Sequence, residues 1–190
     1  MRDTRPSARP NHRTDTFQQI DLWELDYCEE IIKIAQLEPA KEARLQDQGK
    51  KTTIRSATGY GLDPHKHPNI AIPLVNEAVT NPWGFKLYAD NAILSGLDIV
   101  HYKPGDYYRP HTDWGGSVGD RKVSLTVQLT PSDLYKGGNV VLHDGPDPWY
   151  VDRTQGTATF FPSWTLHEVT PLMKGERWAL VAFFCGPPYC

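Results

Sequence analysis

Short apolar or alternating runs dominate the second half of the sequence. Six such runs follow residue 84 and are separated by turn-forming residues: FKLYADNA, GLDIVHY, KVSLTVQL, NVVLH, TATFF and RWALVAFF. Alternation with a period of two places successive side chains on opposite faces of a strand. Many short strands at close spacing are typical of an antiparallel sandwich or barrel. We therefore predict a mainly β fold with a jelly-roll core over residues 85–190.

The first half has helical spacing instead. Apolar residues from Asp21 to Leu37 recur at intervals of three and four, and Pro39 ends the segment, which predicts an amphipathic helix. A second helix is predicted over Ile72–Val79, with Pro73 in its first turn. These helices would flank and support the sheets.

The segments around these helices carry less periodicity. Residues 41–68 contain several helix breakers, which predicts a long loop or a weak strand pair of the kind that often borders a site. Residues 1–16 are polar, basic and broken by proline, as expected of a disordered arm. We predict one domain over residues 17–190, with its helical support in residues 17–84.

Composition narrows the class of protein. At 190 residues the chain is long enough for one domain with a sizeable core, and its net charge of -3 provides no basic field for nucleic acid. The three cysteines form no CxxC pair, which favours a reducing compartment, and no apolar run reaches the length of a membrane span. We expect a cytoplasmic protein that binds neither nucleic acid nor membrane; its oligomeric state is left open.

The segment VHYKPGDYYRPHTDW contains the most informative pair of residues. His111 and Asp113 are two apart, so in an extended backbone both point to one face and can converge on one ion. His167, which follows the apolar strand ending in FPSWTL, is the best third ligand. Two histidines and one carboxylate on one face of an octahedron leave three positions for an organic ligand and dioxygen.

An HxD pair alone is a weak signal, but here it occurs with other motifs in a fixed order. They are YxxGxxYxxHxD at residues 102–113, RxxS at 121–124, YxGG at 135–138, HxV at 167–169 and GxR at 175–177. In this order they resemble the prolyl-4-hydroxylase-like branch of the 2-oxoglutarate and Fe(II)-dependent dioxygenases, and more narrowly the bacterial PKHD-type hydroxylases. The resemblance covers residues 97–184.

The resemblance implies a fold, a reaction and a set of site residues. The fold would be a double-stranded β-helix, and the reaction hydroxylation of an aliphatic C–H with release of succinate and CO2. Cofactors would be Fe(II), with 2-oxoglutarate and O2 as co-substrates and ascorbate as a reductant. His111, Asp113 and His167 would hold the iron, and Arg177 would pair with the distal carboxylate of 2-oxoglutarate, which suits its planar fork of donors.

Further site residues follow from strand alternation and position. Ser124, Thr126 and Gln128 share the polar face of KVSLTVQL. We predict that Tyr102, Ser124 and Gln128 contact 2-oxoglutarate, and that Tyr108 and Trp114 line the substrate mouth. The substrate would be a small molecule, a free amino acid or a peptidyl proline, selected by loops 41–68 and 115–121.

Several alternatives stay open. A cupin-like metalloenzyme that does not use 2-oxoglutarate would have no need of Arg177, and a non-catalytic binding module would keep the fold without the chemistry. A nucleic-acid demethylase would be expected to carry another arginine soon after Arg177, and WALVAFFCGPPYC contains none. His65 and His67 form an HxH pair that could bind a second metal, but no further ligand is close in sequence.

Overall fold

The computed structural model describes residues 17–42, 54–80, 93–115 and 118–186. Two helices lie in these ranges, α1 (Leu25–Gln36) and α2 (Pro68–Thr80). The strands in these ranges are β1 (Gln18–Asp21), β2 (Lys41–Glu42), β3 (Arg55–Ser56), β4 (Thr58–Gly61), β5 (Ile93–Tyr102), β6 (Tyr107–His111), β7 (Arg121–Gln128), β8 (Lys136–Gly137), β9 (Val140–Leu142), β10 (Trp149–Tyr150), β11 (Thr157–Pro162), β12 (His167–Val169), β13 (Leu172–Lys174) and β14 (Arg177–Cys185).

Two antiparallel sheets of these strands face each other. The major sheet has the order β1-β11-β7-β14-β5-β4-β2, and the minor sheet has the order β10-β9-β12-β6-β3. Strands distant in sequence are neighbours in both sheets, which is the jelly-roll arrangement predicted from the alternating runs. Strands β3 and β4 lie in different sheets although only Ala57 separates them, so the chain crosses from one sheet to the other there.

The two faces of the major sheet contact different cores. Val123, Leu125 and Val127 of β7 belong to the larger hydrophobic core, which includes buried residues of both helices. The smaller core lies between the two sheets and includes Val100 and Leu142. The polar residues that alternate with the valines and leucines of β7 therefore face the space between the sheets, as the sequence predicts.

Helix α1 packs on the major sheet through one face. Its buried residues, Cys28, Ile31 and Ala35, recur at helical spacing. Burial raises the pKa of the Cys28 thiol to about 11, which keeps it protonated, as expected of a cysteine that serves packing.

The helix boundaries differ from those predicted. Residues 18–21 form an edge strand paired with β11, so α1 begins at Leu25 and not at Asp21. Helix α2 begins four residues before the predicted start, and Pro73 lies inside it and not in its first turn.

The segment predicted as a long loop or weak strand pair includes β2, β3 and β4, which join the sheets. The predicted strand at 85–92 and the predicted disordered arm at 1–16 lie outside the described residues. In the described part of the chain, neither helix has the length and apolar character needed to cross a membrane.

Candidate metal centre

Strands β6 and β12 place two histidines opposite each other in the minor sheet. His111 is the last residue of β6, His167 is the first of β12, and the two are partners in the register. Opposed residues of an antiparallel pair point to the same face, and the ring centroids lie 4.2 Å apart. Two segments separated by more than fifty residues thus present their imidazoles to one point.

Asp113 completes the group from the turn that follows β6. Its backbone N–H donates to the carbonyl of Ser163 at 2.9 Å. Its carboxylate then lies beside both histidines, with Oδ1 3.6 Å from Nε2 of His111 and Oδ2 3.3 Å from Nε2 of His167. The three ligand atoms all lie within 4.8 Å of one another, and no other such group occurs in the described ranges of the chain.

The remaining ring nitrogen of each histidine is fixed by the main chain. Nδ1 of His111 lies 2.8 Å from the carbonyl oxygen of Arg109, and Nδ1 of His167 lies 2.9 Å from that of Thr165. A carbonyl can only accept, so Nδ1 carries the proton and donates in both rings. In the neutral rings, Nε2 therefore presents a lone pair toward the carboxylate of Asp113.

These lone pairs and the carboxylate fit a divalent cation. Burial raises the pKa of Asp113, but hydrogen bonds donated by the protonated rings of His111 and His167 and by Ser124 outweigh burial and hold the pKa well below its ordinary value. A bound cation would take the place of those two ring protons. Two imidazole nitrogens and one ionised oxygen donor are the ligand set of a mononuclear Fe(II) site with open positions. Orientation of each histidine by a backbone carbonyl is the usual outer support of such a site.

Ser124 of β7 supports the carboxylate from the opposite sheet. Its hydroxyl donates to Oδ2 of Asp113 at 2.7 Å and lies 3.0 Å from the hydroxyl of Ser163. The side chain predicted as a co-substrate contact thus lies directly behind a candidate metal ligand. Its bond restricts the rotation of the carboxylate.

We expect Ser124→Ala to weaken metal binding by roughly ten- to a hundredfold, the range typical of lost outer-shell partners. Anaerobic titration with Co(II), followed by its visible absorption, would measure this directly. Thr126→Val is the matched control, because Thr126 is also buried on this face of β7 and makes none of these contacts. Equal Co(II) affinity in Ser124→Ala and the parent would refute the role of Ser124.

Arg177 lies on the major sheet, deep between the two sheets. It is the first residue of β14, is 1% exposed, and pairs in register with Tyr102 of β5. One terminal nitrogen donates to Oε1 of Gln128 at 2.9 Å, and the guanidinium carbon lies 5.3 Å from the centre of the Tyr102 ring. Gly138, with a positive φ, leaves the space that the arginine stem occupies.

The charge of Arg177 is not balanced by any described carboxylate. Its Nε is buried without a hydrogen-bond partner among the described residues, and Gln128 supplies a neutral acceptor. A buried cation without a counter-ion is costly, and an organic carboxylate would remove that cost. This guanidinium therefore fits the carboxylate of an organic acid.

Tyr102 and Gln128, the other predicted co-substrate contacts, both lie next to Arg177. The two residues predicted at the substrate mouth are placed differently. The Tyr108 ring stacks on His111 at 3.5 Å, and burial raises its pKa to about 12. Trp114 is 42% exposed and donates from Nε1 to the carbonyl of Gly119.

The other histidines of the described residues have local partners or lie at the surface. His101 is stacked on Trp178 and bonded to Glu176, and burial lowers its pKa, although Glu176 opposes this. His143 bonds to Glu168. In the described ranges, the HxH pair at 65 and 67 is not part of any group of three candidate ligands.

Sequence reasoning did not identify several residues of this region. The carbonyls of Arg109 and Thr165 and the hydroxyl of Ser163 carry no motif that distinguishes them. Each histidine bonds to the carbonyl of the residue two positions before it, Arg109 for His111 and Thr165 for His167. Only the structure shows these hydrogen bonds.

Comparison with known proteins gives a consistent result. Residues 97–185 match the model of the 2OG-Fe(II) oxygenase superfamily. The chain is 34% identical over 113 residues to a PKHD-type hydroxylase of Maricaulis maris, covering 57% of this chain and 50% of that protein. It is 28% identical over 148 residues to a PKHD-type hydroxylase of a Synechococcus strain, covering 76% and 66%. The chain thus spans between half and two thirds of these two relatives.

Solved structures share the fold. A prolyl-4-hydroxylase of Pseudomonas putida aligns with a TM-score of 0.66 and 20% identity, over 90% of this chain and 93% of that one. The 2OG complex of a viral collagen prolyl hydroxylase from Paramecium Bursaria Chlorella virus-1 aligns with a TM-score of 0.68 and 20% identity, over 90% and 97%. The predicted mainly β, double-stranded β-helix fold with flanking helices is confirmed.

Proposed function

We propose that this chain is an Fe(II)- and 2-oxoglutarate-dependent dioxygenase that hydroxylates an aliphatic C–H bond, because residues 97–185 match the model of the 2OG-Fe(II) oxygenase superfamily. One observation carries the proposal. Two histidines and one aspartate converge within 4.8 Å, and a buried guanidinium, which has no counter-ion among the described residues, faces the same space between the sheets.

Each of these side chains would have a separate task. His111, Asp113 and His167 would hold Fe(II) on one face and leave the opposite positions open. Ser124 would fix the orientation of the Asp113 carboxylate. Arg177, held by Gln128, would bind the distal carboxylate of 2-oxoglutarate and so set the direction in which the co-substrate lies.

When bound, Fe(II) and 2-oxoglutarate would supply the oxidising power for hydroxylation by O2, with succinate and CO2 as the co-products. The chain contributes orientation and exclusion of water. Phe161 packs edge-on against His167, and Tyr108 stacks on His111. These aromatic contacts keep water from the ligand rings on the sides away from the ion.

The proposal predicts Fe(II)-dependent turnover of 2-oxoglutarate. The protein, incubated with Fe(II), 2-oxoglutarate, ascorbate and air, should form succinate and CO2 in equal amounts, and a substrate with a C–H bond that the enzyme hydroxylates should raise the rate. Addition of a chelator is the control and should abolish the reaction. Absence of any visible absorption band on anaerobic addition of 2-oxoglutarate to the Fe(II) protein, together with no succinate in air, would favour a cupin-like metalloenzyme instead.

A further inference from the structure

Two arginines lie beside the candidate metal centre and have no role in it. Arg55 of β3 pairs in register with Tyr108 of β6, so both side chains point to the same face. The Arg55 guanidinium carbon lies 4.9 Å from the centre of the Tyr108 ring, and that ring is stacked on His111. One aromatic ring therefore separates this guanidinium from a candidate metal ligand.

The second arginine approaches from the major sheet. The Arg121 guanidinium carbon lies 3.7 Å from the centre of the Phe183 ring. Phe183 of β14 pairs in register with Ser124, which binds Asp113. Arg121 and Arg55 both act electrostatically on Tyr108, so the two guanidiniums reach the same region from different sheets.

Neither guanidinium has a polar partner among the described residues. Arg55 and Arg121 form no hydrogen bond or ion pair with a described residue, and Nε of Arg55 is buried without an acceptor there. Both guanidiniums instead lie over aromatic rings, which fixes their planes and leaves their donors available. Donors held in place without acceptors are suited to a ligand carboxylate.

An aspartate of opposite charge lies in the same region. Asp98 of β5 is half-buried, and its two carboxylate oxygens lie beside Gly61 and Gly96, which provide no side chains to cover it. It makes no hydrogen bond or close ion pair with a described residue, although the charges of Arg55, Arg121 and Lys41 act on it. Burial raises the pKa of Asp98, and these cations oppose the rise.

We propose that the primary substrate is a free amino acid, with its α-carboxylate held between Arg55 and Arg121 and its α-amino group held by Asp98. This inference rests on the proposed function and narrows its substrate. Two fixed guanidiniums and one carboxylate, none paired to another, complement a molecule that carries both charges. A residue inside a peptide has neither charged group on its backbone, so it would leave all three side chains without partners.

Binding can be measured without turnover. The protein loaded with Zn(II) and 2-oxoglutarate would be titrated calorimetrically with each standard L-amino acid. The amino acid that binds best would be compared with its α-carboxamide, with the corresponding acid lacking the amino group, and with a capped peptide containing it internally. We expect the free amino acid to bind at least about tenfold more tightly than the carboxamide or the peptide, because each loses a bond to a charged group.

Substitutions separate the two charged contacts. Arg55→Gln and Arg121→Gln should each weaken binding of the amino acid by roughly ten- to a hundredfold. Asp98→Asn should weaken binding of the amino acid but not of the acid that lacks the amino group. Arg153→Gln is the matched control, because Arg153 also lies over an aromatic ring but donates to the carbonyls of Ser132 and Tyr135. Unchanged 2-oxoglutarate affinity in every variant would show that each is folded.

The inference and the proposed function fail in different ways. Fe(II)-dependent succinate formation by a protein that binds no free amino acid, or that binds carboxamide and peptide equally well, would overturn the inference alone. Equal amino-acid affinity of Arg55→Gln, Arg121→Gln and the parent would do the same. Absence of succinate formation under all conditions would remove the proposed function instead.

Discussion

His167→Ala is expected to abolish Fe(II)-dependent succinate formation and to weaken metal binding by more than about a hundredfold, beyond the range for lost outer-shell partners. His167 supplies one of three ligand atoms, and the two that remain lie on His111 and Asp113, two residues apart in one segment. A two-ligand site from that segment alone would lose the facial arrangement. Co(II) titration and succinate assay would be run on the same preparation.

His143→Ala is the control for this prediction. His143 lies just beyond the end of β9, the strand that neighbours β12, and it bonds to Glu168, the residue after His167. It would report any general damage to the minor sheet, and we expect its metal affinity and turnover to equal those of the parent. If His167→Ala retained the parent's Co(II) affinity, the candidate metal centre would have to be abandoned.

Arg177→Met is expected to weaken 2-oxoglutarate binding by between about thirtyfold and a few thousandfold, the equivalent of about 2–5 kcal/mol for truncating one partner of a buried charge pair. Metal affinity should not change, because no ligand atom contacts Arg177. Methionine keeps most of the apolar stem, so the packing against Tyr102 and Gly138 is largely retained. Calorimetric titration of 2-oxoglutarate into the Zn(II)-loaded protein would measure the effect.

Stability offers a second readout for the same substitution. Without 2-oxoglutarate, the charge of Arg177 is buried without a counter-ion among the described residues, so its removal should leave the unfolding temperature equal to or above that of the parent. Arg153→Met, which removes a guanidinium bonded to two carbonyls, should lower that temperature and leave 2-oxoglutarate affinity intact. Unaltered 2-oxoglutarate affinity in Arg177→Met would contradict the anchoring role.

The sequence was most informative where a pattern reports geometry directly. Alternation along β7 placed Ser124, Thr126 and Gln128 on one face because a strand has a fixed period of two, and the hydrophobic core contains the residues of the other face. The spacing of two residues predicted that the side chains of His111 and Asp113 lie close together. Their proximity to His167 was predicted from the order of the motifs along the chain, because no local pattern relates residues so far apart in sequence.

Elements that depend on a partner were missed. Gln18–Asp21 has no strand-like alternation. It forms β1 because it pairs with the edge of β11, where Ile20 lies opposite Ala158. The start of α1 was therefore placed too early. Pro73 was expected near a helix start, but packing of Ile70 and Leu74 in the core holds the helix on both sides of it, and tertiary burial outweighs the lost backbone bond.

Individual side-chain partners were beyond sequence reasoning. The face of Ser124 could be predicted, but its bond to Asp113 depends on how two strands from opposite sheets approach each other. Arg55, Asp98 and Arg121 come from three separate segments, and no spacing relates them. The structure relates the two arginines through the aromatic rings that they cover, Tyr108 for Arg55 and Phe183 for Arg121.

The acceptors that fix the two candidate ligand histidines are main-chain carbonyls, those of residues 109 and 165. Every amino acid carries such a carbonyl, so substitutions at these positions would not remove the acceptor as long as the local backbone path is retained. The tautomer of each imidazole is thereby independent of the side chains around it. Side chains around the two imidazoles can therefore vary without changing these tautomers, whereas the Asp113 carboxylate still depends on the side chain of Ser124.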